Sequence, residues 1–289
     1  LKFGLIFANI GPLGAPDTLA GLAQAAERVG IESLWTVEHV VVPVGYRSTY
    51  PYDESGRIPA PDDMPFPDPL LPLAYVAAVT EKIRLGTGIL ILPQRHPLYV
   101  AKEIATLDVL SKGRMILGIG VGWLEEEFEA LGIPFADRAA RTRESVNAIR
   151  TLWQAGPQSF DGKFFRWGPL ESNPKPVQRP GVPIVVGGHT EIAARRAARY
   201  GDGFFPGLVD FDTLASLLAV LREECERVGR RAEDVEVTFI APSPDVDLVH
   251  RLRDAGVKRI CIGPPGFDLD SVRTGFERFA ERVLTRVVG

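Results

Sequence analysis

Short runs of continuous apolar residues alternate along this chain with stretches in which apolar positions recur every three or four residues. The first kind reads as strands buried on both faces, and the second as helices that cover them. Strands are predicted at Phe3–Ala8, Ser33–Glu38, Ile83–Ile91, Met115–Ile119, Ile184–Gly187, Gly203–Phe205, Val235–Ile240 and Arg259–Gly263. Helices are predicted between and after them at Thr18–Val29, Leu70–Thr80, Pro97–Leu110, Arg138–Gln154, Glu191–Tyr200, Phe211–Val228, Val246–Ala255 and Leu269–Val287. In the first helix Leu19, Leu22, Ala23 and Ala26 form one apolar stripe, while Gln24, Glu27 and Arg28 face away. Repeated βα units with this strand count predict an α/β fold, a TIM (β/α)8 barrel with insertions. A barrel takes about 250 residues, so residues 1–289 read as one domain.

Two segments stand outside the repeat. Residues 40–69 follow the second strand and are rich in Pro, Asp and Tyr, including Tyr46, Tyr50 and Tyr52. A loop this long is either functional or flexible, and it leaves the face on which barrel enzymes keep their active sites, so a substrate lid is expected there. The second is a hairpin excursion at about 158–180, signalled by Asp161-Gly162 between aromatic residues and ending in Asn173-Pro-Lys-Pro176. It either shapes the site or covers one end of the barrel.

Composition narrows the class without naming a function. A formal net charge of -4 argues against nucleic acid or an anionic membrane as the main partner. The two cysteines, Cys225 and Cys261, have no metal or redox spacing, and a reducing cytoplasm is the simplest setting. The opening Leu1-Lys-Phe-Gly-Leu-Ile-Phe-Ala8 is too short to span a membrane and reads as a first strand.

Candidate chemistry gathers at strand ends. Pro183-Ile-Val-Val-Gly-Gly-His-Thr-Glu191 carries a buried strand through Gly187 and Gly188 to His189 and a helix start. Open backbone N–H groups at such a helix terminus suit an anion, although a glycine turn serving only the backbone gives the same pattern. Leu85-Gly-Thr-Gly88 and Met115-Ile-Leu-Gly-Ile-Gly-Val-Gly-Trp123 repeat the pattern of apolar strand ending in glycine. Three glycine-lipped ends suggest one pocket, in which Gly120 and Gly122 let a flat ligand approach the backbone and Trp123 stacks on it or walls it. Gly118-Ile-Gly-Val-Gly122 is not a dinucleotide fingerprint, because its third glycine comes one residue early.

His39 ends the second strand beside the lid, where it either exchanges a proton with a substrate or serves structure alone. Glu38 points to the other side and is expected to anchor backbone or a helix. No histidine pair has metal-ligand spacing, so no metal is expected. The lysines avoid strand ends, which counts against Schiff-base chemistry, and no nucleophile elbow is present. A slot with an anion cradle, one proton donor and no nucleophile borrows its chemistry from a cofactor, and a phosphate-bearing flat ring fits it.

These residues resemble the bacterial-luciferase-like superfamily of FMN-dependent monooxygenases and oxidoreductases that use the deazaflavin coenzyme F420. The resemblance rests on Trp35 to His39, Leu85-Gly-Thr-Gly88 with Pro93 and Pro97, and Ala105-Thr-Leu-Asp-Val-Leu-Ser-Lys-Gly-Arg114. Gly118-Ile-Gly-Val-Gly-Trp-Leu-Glu-Glu-Glu-Phe128, Asn173-Pro-Lys-Pro-Val-Gln178, Gly187-Gly188 and Gly201-Asp-Gly203 extend it. It implies a TIM-like barrel, often a homodimer, with the cofactor phosphate on Gly187, Gly188 and the following helix start. It also implies a ring lying along Thr87, Gly88 and Ile89, a non-proline cis peptide or bulge at Gly88-Ile89, and His39 near the reactive ring carbon. Relatives that oxidise a sugar phosphate carry a carboxylate where this chain has Trp123, and FMN users tend to have an arginine near Tyr99.

The resemblance thus favours hydride transfer between F420 and a small organic substrate. An FMN-dependent monooxygenase, supplied with reduced flavin by a partner reductase, is the alternative. A non-catalytic flavin-binding protein is the reading from another class, and a phosphosugar isomerase on the same barrel is more distant still.

Overall fold

The computed structural model describes residues 1–61 and 63–287, so residue 62 of the expected lid and residues 288–289 of the expected domain lie outside the described residues. In chain order the strands are β1 (Lys2–Leu5), β2 (Ser33–Thr36), β3 (Arg84–Thr87), β4 (Leu90–Ile91), β5 (Met115–Gly120), β6 (Gln158–Asp161) and β7 (Arg166–Leu170). They continue with β8 (Ile184–Gly187), β9 (Gly203–Phe205), β10 (Glu236–Ile240) and β11 (Arg259–Ile262). The α-helices are α1 (Pro16–Arg28), α2 (Leu70–Val79), α3 (Pro97–Leu110), α4 (Glu125–Ala130) and α5 (Arg138–Leu152). After these come α6 (Glu191–Tyr200), α7 (Phe211–Arg227), α8 (Val246–Asp254), α9 (Leu269–Phe279) and the short α10 (Thr285–Val287).

The parallel sheet runs β3-β2-β1-β11-β10-β9-β8-β5-β4 and closes through pairing of β3 with β5. β3 and β4 are one barrel strand interrupted at the cis peptide between Gly88 and Ile89. The result is a closed eight-stranded parallel barrel wrapped by helices, the predicted TIM-like fold.

The first two differences from prediction lie at the barrel mouth. The first strand stops at Leu5 rather than Ala8 because Phe7 turns to a positive φ of 64°. The second stops at Thr36 because the buried Asn9 side chain takes over the backbone of Val37, accepting its N–H at 2.8 Å and donating to its carbonyl at 2.9 Å. The Asn9 amide also donates to Pro67 at 3.1 Å, which ties the end of the lid to both strands. The last predicted helix is interrupted by a π-helical turn at Ala280–Leu284. The hairpin forms as expected, with β6 antiparallel to β7, and its Phe165 packs edge-on against His96 at 5.1 Å, at the start of α3.

Inside the barrel Ile6, Trp35, Ile116, Val185, Phe205, Ile240 and Cys261 form a separate apolar cluster, distinct from the larger core between sheet and helices. Below it Arg259, with a fully buried side chain, pairs with Glu32 at 2.9 Å and Glu236 at 2.5 Å. Burial opposes that charge, yet the two carboxylates hold the guanidinium protonated and raise its pKa. The barrel floor is thus sealed by packed side chains and paired charges, and only the C-terminal mouth is left for a ligand.

Candidate active site at the barrel mouth

His39 emerges beyond β2 and meets α4, a helix that the apolar periodicity did not reveal. Glu127 on α4 has no exposed side-chain surface, and its Oε2 lies 3.2 Å from His39 Nδ1. Its Oε1 accepts the backbone N–H groups of Val40 at 2.6 Å and Val41 at 3.2 Å. Burial raises the Glu127 pKa, but the hydrogen bonds from His39 and the lid backbone outweigh it and keep the carboxyl below its ordinary value of 4.5. An ionised carboxylate needs a donor at Nδ1, and this orients the imidazole and leaves Nε2 as the nitrogen available to a ligand. Phe66 and Trp123 meet the ring edge-on at 5.8 and 5.7 Å.

Glu38 faces the other way, as its place in the strand predicts. It accepts the Ile91 N–H at 2.5 Å, just past the cis peptide, and pairs with Arg95, which pairs in turn with Asp68 at 2.7 Å. Burial opposes the Arg95 charge, but these carboxylates push its pKa up and lock the guanidinium in place. Strand end, cis peptide and lid exit are therefore fastened by one partly buried charge cluster centred on the buried Glu38.

The lid lies across the mouth as a run of aromatic edges. Trp123 meets Tyr46 at 5.5 Å and Tyr50 at 5.2 Å, Tyr50 meets Tyr52 at 5.5 Å, and Tyr52 meets His189 at 4.9 Å. A chain of rings thus connects the histidine at the end of β2 with the glycine pair at the end of β8. The adjacent carboxylate on α4, Glu126, accepts the Arg47 N–H at 2.6 Å and the Ser48 hydroxyl at 2.7 Å, and these bonds hold its pKa down at about 2.

At the glycine pair the structure modifies the expected cradle. Gly188 has a φ of +133°, and a Cβ there would approach the Ala193 Cβ to 2.8 Å. Its N–H is already bonded to the Phe205 carbonyl at 3.1 Å, so Gly188 shapes the turn rather than donating to an anion. Thr190 caps α6 by accepting from Ala193, and Glu191 opens the helix. The remaining first-turn N–H groups, of Glu191 and Ile192 at the positive end of the helix dipole, are the ones a phosphate would meet, since Ala193 and Ala194 already bond the Thr190 carbonyl. His189 Nδ1 is buried without a partner among the described residues, and burial lowers the pKa of this ring. An orphaned ring nitrogen beside a helix start fits the phosphate end of a cofactor.

The slot expected from the other glycines is filled by protein. A Cβ on Gly120 would collide with Ile89 Cδ1, and one on Gly187 would come within 2.7 Å of Ile89 Cγ2. Gly118 makes room for the Thr87 carbonyl, and Gly122, at a φ of +81°, lies against Phe128 and Ile91. Thr87 is fully buried with its hydroxyl donated to Gly118 at 2.6 Å, so it offers a ligand nothing. Gly120 is likewise buried. These glycines admit the broken third strand, and it is the half-buried Gly88 and Ile89 on that strand that face the mouth. His39, Trp123, Gly88, Ile89, Gly187, Gly188 and His189 stand around the opening, whereas Thr87 and Gly120 are buried in its supporting wall. Sequence reasoning missed Asn9, Phe66, Arg95 and Glu127. Of these, Glu127 carried a signal in the Glu125-Glu-Glu127 run before Phe128.

The sequence pattern described as luciferase-like monooxygenase matches residues 6–243. An uncharacterised protein of Mycobacterium bovis is 33% identical over 269 residues, covering 92% of this chain and 94% of its own. An F420-dependent glucose-6-phosphate dehydrogenase of Nakamurella multipartita is 32% identical over 246 residues, 83% of this chain and 67% of that protein. Among solved structures, a monooxygenase from Streptomyces bottropensis superposes with a TM-score of 0.75 at 26% identity, over 99% of each chain.

Proposed function

The chain belongs to the luciferase-like monooxygenase family of flavin- or F420-dependent oxidoreductases, and from that premise we propose that it moves a hydride between coenzyme F420 and a small organic substrate. The observation that carries this reading is the imidazole of His39, held at the mouth by a fully buried carboxylate, with its Nε2 free of hydrogen bonds among the described residues.

In this reading the N-terminus of α6 and His189 hold the cofactor phosphate, while Gly88 and Ile89 support the ring. When bound, the deazaflavin supplies or accepts the hydride. His39 gives a proton to the substrate oxygen or takes one from it as the hydride moves, and Glu127 stabilises the imidazole when it carries the charge. Trp123, Phe66 and the lid tyrosines exclude water from that exchange and strengthen the electrostatics within. A homodimer in the cytoplasm belongs to the same proposal. It is compatible with Leu71 and Tyr75 exposed on α2, and with the absence, among the described residues, of any helix long and apolar enough to cross a membrane.

F420 is favoured over FMN by the named F420-dependent relative, which aligns with 83% of this chain. Tyr99, exposed on the first turn of α3 near the position where FMN users tend to have an arginine, supports the same preference. The Streptomyces monooxygenase, similar over 99% of both chains, supports oxygenation as the second reading, for which FMN and a partner flavin reductase are our own proposal.

Calorimetric titration with each coenzyme tests the choice. The expected result is tighter binding of F420 than of FMN, and consumption of reduced F420 by an acceptor without matching oxygen uptake. Tight FMN binding, with oxygen consumption dependent on an added flavin reductase, would overturn it in favour of the monooxygenase.

A further inference from the structure

The lid contains a recess of about 360 Å³ that the chemistry at His39 does not account for. Val42, Ile58, Pro61 and Phe66 give it apolar walls, and the Tyr46 ring and the Arg57 side chain complete it. It adjoins the candidate active site directly, because Phe66 is the ring that meets His39 and Tyr46 is one of those that meet Trp123.

Arg57 is held in a defined orientation. It donates to the Tyr46 carbonyl, and its guanidinium carbon stands 4.4 Å from the centre of the Tyr46 ring. The Tyr46 hydroxyl accepts the Ile58 N–H at 2.9 Å, so ring and arginine brace each other across one turn of the lid. Among the described residues no carboxylate forms an ion pair with Arg57, and a guanidinium has five N–H donors in a planar fork, most of which stay open here. A planar fork at the edge of a recess lined by both polar and apolar groups matches the carboxylate of a small organic acid. One cation suits one negative charge.

We propose that this recess receives the distal end of the substrate and that Arg57 binds a carboxylate there. The substrate is then a small carboxylic acid whose reacting carbon reaches past Phe66 toward His39. The inference rests on the reading of His39 as the proton-exchanging residue, but the binding site can be tested without turnover.

The test is calorimetry with benzoate, 3-phenylpropionate and hexanoate, each paired with its neutral amide, on the full chain at low salt. At least one acid is expected to bind about tenfold more tightly than its amide, as a charge-assisted hydrogen bond requires. Arg57→Gln should bring that ratio to within about twofold without weakening the amide, and Arg57→Lys should keep part of it. Thermal unfolding of both variants checks that the lid survives. Acids that bind no better than their amides, or a preference that persists in Arg57→Gln, overturn the proposal. F420 and FMN titrations of wild type and variants run alongside. Unchanged coenzyme affinity with a lost acid preference supports the recess, whereas wild type binding neither coenzyme removes the proposed function and leaves the acid-to-amide ratio to decide the recess alone.

Discussion

Glu127 holds His39 Nδ1 at 3.2 Å with one carboxylate oxygen and the Val40 N–H at 2.6 Å with the other. A single buried side chain therefore sets the ring and roots the lid that covers it. His39→Ala is expected to lower turnover by roughly 10²–10⁴ while leaving coenzyme affinity nearly intact. Glu127→Gln, which can still accept from Val40, should lose less than Glu127→Ala, which strands two lid N–H groups and costs about 1–3 kcal/mol of stability. Steady-state rates and chemical denaturation on the three variants check this. Unchanged turnover in His39→Ala would make that histidine structural.

Acid should release the lid. Glu126 and Glu127 have folded pKa values below the ordinary 4.5, with Glu126 at about 2. The stabilisation from such groups is complete above the unfolded value and disappears as pH falls through the folded one. Pepsin cleavage within residues 40–60, normalised to an unstructured peptide, should therefore rise between pH 4.5 and pH 2. In Glu126→Gln it should already be raised at pH 4.5. A cleavage rate independent of both pH and the substitution would show that these carboxylates do not hold the loop.

The glycines of the fourth barrel strand should differ sharply in tolerance. Gly118→Ala drives a Cβ into the Thr87 backbone carbonyl, which cannot move aside, and should cost more than about 3 kcal/mol. Gly120→Ala meets the Ile89 side chain at Cδ1 and Cγ1 rather than backbone, so a smaller cost is expected, one that Ile89→Ala partly restores. Urea titration of the single and double variants measures the coupling, and strict additivity would mean that Ile89 does not fill the space beside Gly120.

Gly188→Val should weaken coenzyme binding about 10- to 100-fold. The cause is its φ of +133° and the Ala193 contact, which would shift the start of α6, since its own N–H already serves Phe205. His189→Ala, by contrast, removes a possible phosphate contact without bending the turn, and should have a milder effect. Calorimetry with F420 and FMN separates the two, and wild-type affinity in Gly188→Val would remove the phosphate from this corner.

The sequence alone determined the barrel, because a strand buried on both faces and a helix buried on one leave their periods in local composition. Ile184–Gly187 and Pro97–Leu110 fall on their predicted limits for that reason. It also located the mouth, since Gly88, Trp123 and Gly187 stand at strand ends whatever packs beside them. His39 was visible as a candidate by the same argument, but its role was not, because the carboxylate that orients it lies 88 positions away. No local period records a pairing at that separation.

Tertiary structure decided who occupies the space that each glycine leaves. A missing Cβ announces room in the sequence, but only the closed barrel brings Ile89 against Gly120 and Gly187, and the Thr87 carbonyl against Gly118. The six-residue α4 escaped for a related reason. Phe128 is its one buried apolar side chain, too few to make a stripe, and the rest of its anchoring is what Glu126 and Glu127 hold, partners that exist only once the loop after β2 has folded back across the mouth.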